Sequence, residues 1–358
     1  MKNKKVNNQV SKSSVWKTYQ IKRSTNGSGK EKIMKKLIFT AIFIMTMVLF
    51  AGCTCLEAIT TSSEDTSKGK YVYVADYHNN SVSVIQTSDN TIIEIIDVGG
   101  YPQDIATNPN EEYVYVADYH NNSVSVIQTS DNTIIEIIDV VNSPWNLMIT
   151  PNGEYVYVTD YYGNYCIIQT LNNTIIEIVD AKNNPWNLIM TPDGEYEYIA
   201  DYRNRSVSVI QTSNNTVIET IDVGGYPWNL VETPNGEYVY VTNSHNGVID
   251  VIQTSNNTEV KMIDVGGYPW GIIITPNGEY VYVANFYNNS VSVIQTSDNT
   301  VIETIDVVNS PWKLTRTFDG ECIYVTDYSN TTASVIQTSD NTVIRTINIG
   351  NKPRITSQ

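Results

Sequence analysis

The stretch YVYVTN at Tyr238–Asn243 alternates residues that favour strands, the pattern of a β-strand in a folded sheet. The stretch returns with small changes six more times, 42 residues apart except for one 41-residue step. These six returns begin at Tyr71, Tyr113, Tyr155, Tyr196, Tyr280 and Cys322. A fixed period of about 20 to 50 residues is the sequence signature of a repeat architecture.

Each period contains four strand signals and no helix signal. From the inside outward, segments of the type PWNLMIT, EYVYVTD, SVSVIQT and TIIEIID predict strands A, B, C and D, separated by Gly, Pro, Asn and Asp turns. A four-stranded unit of about 40 to 45 residues has the size of a propeller blade. One blade cannot bury both faces of its sheet, so blades stack, and a closed ring leaves no exposed end.

The two ends of the repeat region predict how the ring closes. The chain enters at KGKYVYV (Lys68–Val74), which aligns with the start of a strand B. It leaves at NKPRITSQ, which aligns with NSPWKLTR, so residues Pro353–Gln358 supply a strand A. We therefore predict an all-β fold over residues 71–358. It is a seven-bladed β-propeller of four-stranded antiparallel blades, closed by a C-terminal strand that completes blade one.

The third to sixth residues of the repeated strand carry a family resemblance. Tyr240–Asn243 reads YVTN, and the other units read YVAD, YVTD, YIAD or YVAN. The chain resembles the YVTN-family β-propeller repeat proteins, and especially their archaeal surface-layer-type members. The resemblance implies a propeller and a place at the cell surface. It implies little about activity, because propellers serve as binding proteins, scaffolds and enzymes.

The first 70 residues have a different composition. Residues 1–33 are a basic leader that we expect to be untranslated or unstructured, because Met34 followed by two lysines is a natural signal start. An apolar run then ends at Cys53, which predicts a lipoprotein-type signal peptide at 34–52 with lipid on Cys53. The alternative is an uncleaved membrane anchor, although the run is shorter than the roughly 20 residues of a span. Residues 53–70 are a Ser/Thr-rich tether.

The charge is also divided between the two regions. The first 36 residues hold eleven of the 22 basic residues and one of the 38 acidic ones, so residues 37–358 carry a formal charge of −26. Such a surface repels nucleic acid, which we exclude as a partner. It suits an exported, extracellular particle and attracts cations weakly; solubility alone is the simpler explanation of the charge.

Export is consistent with eight N-x-S/T sequons, all in expected turns. They are candidate N-glycosylation sites, although Asn, Ser and Thr are common turn residues in any case. The sequons begin at Asn79, Asn121, Asn172, Asn204, Asn214, Asn256, Asn288 and Asn330. Cys166 and Cys322 fall in blades that do not touch, so we expect two reduced, buried thiols.

No catalytic constellation is visible. The three histidines His78, His120 and His245 occupy turns, and the chain has no phosphate loop, nucleophile elbow or CxxC pair. We predict no catalytic residue, no metal site and no cofactor. Glu232 and Arg316 break the apolar pattern of strand A in what we expect to be blades four and six, and an ion pair or hydrated side chains explain them most simply.

Strand direction predicts the binding face, because the antiparallel order brings the B-to-C turns and D-to-A links to the same face. Aromatic rings beside carboxylates suit sugars or cationic groups. The alternative is that each Trp packs between blades and was copied by duplication. The candidate residues after the link proline are Trp145, Trp186, Trp228, Trp270 and Trp312, with Gln103 and Arg354 at the equivalent positions. Those at the end of strand B are Asp76, Asp118, Asp160, Asp201 and Asp327, with Asn243 and Asn285 at the equivalent positions.

Two further expectations concern the outer edge and the role of the protein. Strand D is expected to be the exposed edge, where a mid-strand Glu discourages edge-to-edge pairing; these are Glu94, Glu136, Glu177, Glu219 and Glu303. For function we predict a non-enzymatic module of the cell envelope, tethered to the membrane, that binds envelope polysaccharide or protein. The alternatives are a structural surface-layer component and, less favoured, a lactonase-like propeller enzyme.

Overall fold

The computed structural model describes residues 69–77, 79–140, 142–162, 164–180, 185–214, 216–307, 309–328, 332–348 and 353–355. They belong to a compact unit of Asp65–Gln358. Several predictions lie outside the described residues: the leader and signal peptide, lipid attachment at Cys53, the tether up to residue 68, His78 and the sequon at Asn330. The side chain of Arg354 also lies outside them.

The described strands form seven antiparallel sheets of four strands each. In chain order they are, in blade one, β1 (Tyr71–Asp76), β2 (Ser81–Gln86) and β3 (Thr91–Asp97); in blade two, β4 (Pro102–Thr107), β5 (Tyr113–Asp118), β6 (Ser123–Gln128) and β7 (Thr133–Asp139); in blade three, β8 (Pro144–Ile149), β9 (Tyr155–Asp160), β10 (Asn164–Gln169) and β11 (Thr174–Asp180); and in blade four, β12 (Pro185–Met190), β13 (Tyr196–Asp201), β14 (Ser206–Gln211) and β15 (Thr216–Asp222).

The later blades follow the same order. They are, in blade five, β16 (Pro227–Glu232), β17 (Tyr238–Asn243), β18 (Val248–Gln253) and β19 (Thr258–Asp264); in blade six, β20 (Pro269–Ile274), β21 (Tyr280–Asn285), β22 (Ser290–Gln295) and β23 (Thr300–Asp306), with a short 3-10 helix at Phe286–Asn288; and in blade seven, β24 (Pro311–Arg316), β25 (Cys322–Asp327), β26 (Thr332–Gln337) and β27 (Thr342–Asn348), after which β28 (Pro353–Ile355) ends the described chain. The seven-bladed propeller predicted from the repeat is confirmed.

The ring closes in blade one, as predicted. Strand β28 pairs with β1 through Pro353 to Ile355, opposite Asp76 to Val74, and completes the sheet β28-β1-β2-β3. This strand A spans three residues, whereas the strands A of blades two to seven span six. Residues 356–358 of the predicted strand lie outside the described residues. Among the described residues, blade one has three paired positions at its inner edge.

The core lies between successive blades. One cluster joins Tyr73, Val82 and Val84 of blade one to Ile105 and Val114 of blade two, all almost fully buried, and similar clusters recur round the ring. Side chains alternate between the two faces of each strand, so every second residue packs against the same neighbouring sheet. Each buried aliphatic side chain of this kind contributes about 1.5 to 3 kcal/mol.

A hydrogen bond from one blade to the next explains the second tyrosine of YVYV. The Tyr73 hydroxyl donates to the Asn132 side-chain oxygen at 2.8 Å, although the two residues are in different blades. Asn132 is in the C-to-D turn with a φ of 57°, a left-handed conformation that Asn tolerates well. Equivalent Tyr-to-Asn bonds join Tyr115 to Asn173, Tyr198 to Asn257, Tyr240 to Asn299, Tyr282 to Asn341 and Tyr324 to Asn90.

The mid-strand Glu residues take part in the same link. The Asn132 amide donates to Glu94 at 2.8 Å, and equivalent bonds join Asn173 to Glu136 and Asn341 to Glu303. Strand D is the outermost strand of each blade, and several of its isoleucines are exposed; Ile95 is 65% exposed and Ile137 is 60% exposed, whereas Ile96 and Ile138 are buried. The role against edge pairing stays a prediction, while the structure adds an inter-blade role that the sequence analysis missed.

The interface between blades three and four departs from this pattern. Glu197 occupies a position that is Val in five other blades, and it is fully buried among Tyr157, Tyr165 and Leu188. Burial raises the pKa of its carboxyl to about 7, and the nearby Tyr157 hydroxyl opposes this shift. Within the part of the chain that the structure describes, neither carboxyl oxygen has a hydrogen-bond partner of good geometry.

Within the described residues neither Cys166 nor Cys322 is part of a disulfide, as expected. Cys166 is fully buried, whereas Cys322 is half-buried, so the expectation of two buried thiols is corrected for Cys322. Cys322 begins strand β25 and replaces the first tyrosine of the repeat, which is itself half-buried in the other blades.

Candidate binding face

A β-bulge at the start of strand A places one residue per blade at a mouth of the central channel. In blade three, Pro144 pairs with Asp160 and Asn146 with Thr159, which leaves Trp145 as the extra residue. A bulged residue is unpaired, and its side chain is redirected. The register shift recurs in blades two and four to seven. It places Gln103, Trp145, Trp186, Trp228, Trp270 and Trp312 at equivalent positions.

The five tryptophans contact one another in succession round this mouth. Their ring centroids are separated by 5.0 Å for Trp145 and Trp186, 4.3 Å for Trp186 and Trp228, and 5.3 Å for Trp228 and Trp270, and Trp270 meets Trp312 edge-on. Gly271 allows the last contact, because a Cβ at this position would lie 2.5 Å from the Trp312 carbonyl oxygen. The tryptophans form one continuous arc over blades three to seven.

A second layer of rings surrounds the tryptophans. These rings come from the residues that follow strand B and from the D-to-A links, so both segments lie on the predicted face. Tyr202, for example, lies 5.3 Å from Trp186 and 4.8 Å from Tyr226 between ring centroids. We call this surface the aromatic face; it consists of the five tryptophans with Tyr119, Tyr161, Tyr162, Tyr202, Tyr226, His245, Tyr268, Phe286, Tyr287 and Tyr328.

Exposure differs between the layers. Trp312 is 7% exposed, while the other four tryptophans are half-buried. In the outer layer Tyr162 and Tyr287 are 66% and 71% exposed. The tryptophans therefore pack against each other, and all except Trp312 still present part of their surface. Binding by this surface stays a prediction.

The aromatic face is incomplete at blades one and two. Gln103 of blade two occupies the Trp position and is almost fully buried. Tyr77, Tyr101 and His120 form a separate group, with 5.0 Å between the centroids of the first two rings. The arc of tryptophans is thus open on one side.

The predicted carboxylates lie inside the blades and not on the surface. The residues at the end of strand B, including Asp76, Asp160 and Asp327, are at most 3% exposed. Asp160 accepts hydrogen bonds from the backbone of Tyr162 and Asn164, both at 2.8 Å. Burial raises the pKa of Asp118 to about 7 and that of Asp201 to about 6, while Ser125 and Ser208 donate to these carboxyls and oppose the shifts. These residues support the turns that carry the rings.

A polar layer lies directly beneath the tryptophans and closes the channel. Asp104 of blade two is 1% exposed, pairs with the Lys313 ammonium of blade seven and accepts from the Leu147 backbone N–H at 2.9 Å. Asn187 donates to Asn229 in the same layer. A cavity of about 20 Å³ between the two layers has room for about one water molecule. The pair from Asp104 to Lys313 joins blades two and seven, the two neighbours of blade one.

This polar layer was not predicted from the sequence, although one repeat position indicates it. The residue after the Trp position is, in successive blades from two to seven, Asp104, Asn146, Asn187, Asn229, Gly271 and Lys313. One acid and one base in an otherwise neutral repeat position indicate a pair. The spacing of 209 residues gave no local indication that the two would meet.

The opposite mouth opens into a funnel of about 760 Å³. Its walls are aliphatic side chains of strand A, among them Met148, Ile189, Val231 and Ile273, and its floor is the polar layer. Its rim is formed by Pro109, Pro151, Pro192, Pro234, Pro276 and Phe318 of the A-to-B turns. The two mouths of one channel therefore differ in shape and chemistry.

Glu232 and Arg316 line this funnel. They are in blades five and seven, not four and six, because each repeat unit reads B, C, D, A along the sequence and its strand A joins the next blade. Both side chains are half-buried. The structure gives no ion pair between them, and Glu232 Oε2 and Arg316 Nε have no hydrogen-bond partner within the described chain.

The remaining sequence predictions fall on the surface. The seven sequon asparagines in the described residues are all exposed, and Asn79, Asn121, Asn204 and Asn288 lie in B-to-C turns beside the aromatic face. Glycosylation stays a prediction. Across the residues with described coordinates, no group of three or more His, Cys, Asp or Glu is arranged to hold a metal ion. Over the same residues, no helix has the length and hydropathy required to cross a membrane.

The fold and sequence identify the family. A model of the YNCE-like β-propellers matches residues 35–356. The chain belongs to the YNCE-like β-propeller family. A comparison with curated proteins finds no match.

Solved structures share the fold at low sequence identity. The chain is similar to hydrazine synthase of Kuenenia stuttgartiensis (TM-score 0.69, 19% identity, 76% of this chain and 93% of that one). It is similar to a functionally unknown protein from Desulfotomaculum acetoxidans (TM-score 0.72, 16% identity, 80% of this chain and 99% of that one). It is also similar to the dihydro-heme d1 dehydrogenase NirN in complex with DHE (TM-score 0.64, 14% identity, 79% of this chain and 74% of that one). At these identities the likeness concerns the fold alone.

Proposed function

We propose that the protein is a non-enzymatic binding module of the cell surface whose aromatic face binds envelope polysaccharide. The observation that carries the proposal is the continuous arc of rings from blade three to blade seven, with Tyr161, Tyr162 and Tyr287 of the outer layer exposed. Contiguous exposed apolar surface on a soluble domain marks an interaction site.

The chemistry of the face favours sugars. A pyranose ring offers C–H groups that pack on aromatic faces, while its hydroxyls bond to the polar tips of Tyr and Trp. The indole nitrogens of Trp186 and Trp270 are buried and have no acceptor within the described chain, so the polar tips open to a sugar are those of exposed tyrosines such as Tyr162 and Tyr287. The acidic charge of residues 37–358 disfavours polyanions such as nucleic acid.

The N-terminal region supplies the location. We propose that signal cleavage leaves a lipid on Cys53 and that residues 53–70 tether the propeller to the membrane, with the aromatic face free to reach the envelope. The YVTN resemblance to archaeal surface-layer-type proteins and the exposed sequons support a place outside the cell.

Retention on immobilised envelope polysaccharide from the producing cells tests the proposal. The double variant Trp186→Ala/Trp228→Ala should lose at least about tenfold in affinity, because it removes two adjacent rings of the arc. The matched control is Phe318→Ala, which removes a half-exposed ring from the opposite mouth and should leave retention unchanged. Melting is measured for each protein. A double variant with a large loss of stability and unchanged retention contradicts the proposal and makes the tryptophans packing residues.

A further inference from the structure

The funnel opposite the aromatic face has the dimensions of a small-molecule site. Its volume of about 760 Å³ lies within the roughly 300 to 1,000 Å³ of ligand pockets. It is concave, it ends on the polar layer, and its walls are aliphatic residues from blades three to seven. Pockets of this kind combine apolar walls with a few polar groups that orient the ligand.

Two side chains interrupt the apolar wall at the same depth. Glu232 and Arg316 each end a strand A, where blades two, three, four and six have Thr107, Ile149, Met190 and Ile274. Four blades thus fold with an uncharged residue at this position. A half-buried charged group with an unpaired polar atom costs folding free energy, and Glu232 Oε2 and Arg316 Nε are both unpaired within the described chain. The fold alone therefore gives no reason for either residue.

The other charged groups near the funnel are already engaged. Lys313 on the floor pairs with Asp104. Glu111 on the rim accepts a hydrogen bond from the Gly69 backbone N–H at 2.7 Å. Burial, followed by the charge of Asp193, raises the pKa of Glu232 to about 8, so this carboxyl is mostly neutral at pH 7. Burial lowers the pKa of Arg316, and no acidic group opposes this; a guanidinium nevertheless stays charged in proteins. Arg316 is thus the uncompensated charge of the funnel.

We propose that the funnel binds a small amphipathic carboxylic acid, whose carboxylate pairs with Arg316 and whose apolar body lies against the aliphatic wall. The planar guanidinium matches a carboxylate in a bidentate arrangement. Neutral Glu232, two blades away on the same wall, adds no negative charge that would oppose the ligand carboxylate. This site is on the opposite mouth of the channel from the aromatic face and is independent of polysaccharide binding.

Calorimetric titration of the full-length protein at pH 7 tests the site, with decanoate as the probe and decylamine and 1-decanol as comparators. Decanoate should bind one to one, at least about tenfold more tightly than either comparator. Arg316→Gln should reduce decanoate affinity at least about tenfold. The control Arg345→Gln removes an exposed arginine from the outer strand of the same blade and should leave it unchanged. Melting curves establish that both variants are folded.

A local reporter places the ligand. The substitution Phe318→Trp adds an indole to the rim of the funnel, while the tryptophans at 145, 186, 228, 270 and 312 lie at the other mouth. Decanoate should change the emission of this variant with the midpoint seen by calorimetry and leave the emission of the parent unchanged. Decanoate binding should also weaken between pH 7 and pH 9 as Glu232 ionises and repels the carboxylate, and Glu232→Gln should abolish that pH dependence.

The proposal is overturned if decanoate does not bind the parent, if Arg316→Gln binds it as tightly, or if decylamine binds more tightly. An emission change in the parent equal to that in Phe318→Trp places the ligand on the aromatic face and overturns it as well.

Discussion

The two mouths of the channel are built from the same seven strands and have opposite characters. At one mouth a bulge in strand A directs Trp145, Trp186 and their equivalents inward, so the mouth is filled and its surface is aromatic. At the other mouth the strands A of blades two to seven end in small or aliphatic residues, except for Glu232 and Arg316, and leave a funnel. The polar layer with Asp104 and Lys313 separates them. One repeat can therefore provide two distinct surfaces, because the residues at the two ends of strand A vary independently.

The largest effect is expected from opening the ring, which both mouths require. Truncation after Lys352 removes β28, the strand that completes blade one. It should lower the free energy of unfolding by about 5 kcal/mol or more, because it exposes the edge of β1 and the two interfaces of blade one to solvent. Urea unfolding measures the loss. Truncation after Ile355 is the control, because it retains the three paired residues. Equal stability of the two truncated proteins would show that β28 does not close the ring.

The layer between the mouths should be the next most sensitive region. Lys313→Met leaves the buried Asp104 carboxylate without its cation and should destabilise by about 3 to 5 kcal/mol. The double variant Asp104→Asn/Lys313→Met removes both charges and should recover most of the loss. Chemical unfolding of the three proteins measures the coupling, and additive losses would mean that the two residues do not interact.

Within the filled mouth, tryptophans should differ according to their burial. Trp312→Ala removes a ring that is 7% exposed and should cost about 3 kcal/mol or more. Trp186→Ala removes a half-buried ring and should cost about half as much. Thermal and urea unfolding measure both. Similar losses of unfolding free energy at the two sites would mean that all the tryptophans of the arc serve packing and that none is available to a ligand.

At the funnel mouth, Glu232 should make stability depend on pH. Its folded pKa of about 8 is above its ordinary value of 4.5, so the folded state favours the protonated form. Stability from this group is complete below about pH 4.5 and falls as the pH rises to 8. Glu232→Ile should therefore raise the free energy of unfolding by about 2 kcal/mol at pH 9 and change it very little at pH 4.5. The figure is reduced because Glu232 is only half-buried and solvent screens its charge.

Unfolding in urea at both pH values measures this dependence. The control is Glu237→Gln, at an exposed turn position, which should leave the pH slope unchanged. A Glu232→Ile slope that matches the parent would contradict the assignment. Buried Asp118, Glu197 and Asp250, whose pKa values burial raises to about 7, contribute a slope of the same sign that should remain in every variant, so Glu232→Ile should reduce the slope without abolishing it.

The fold was predictable because its signals are local and repeated. The strand pattern at Tyr71 and its six returns determined the blades, and the match of Pro353 to the link prolines determined the closure. Strand direction also placed the tryptophans on one mouth correctly. The pairing of Asp104 with Lys313 and the contact of Tyr73 with Asn132 were not predictable from local pattern, since each depends on how blades meet in space.

The candidate site was predicted only in part for a related reason. The alternation of strand B makes Asp76 and its equivalents look like surface residues at a strand end, whereas the following turn folds over them and buries them. The funnel was missed because a cavity is a property of the closed ring. Glu232 and Arg316 were noticed as departures from the repeat, but their unpaired atoms are visible only in the structure.

The central claim is that ligand binds the aromatic face, and tryptophan emission tests it most directly. The five propeller tryptophans all lie at that mouth, and a Trp16→Phe background removes the sixth tryptophan of the chain. Titration with envelope polysaccharide should shift or quench the emission, with a midpoint equal to that of retention. Full retention on the polysaccharide with no change in emission would contradict the claim, because the ligand would then be bound elsewhere on the propeller.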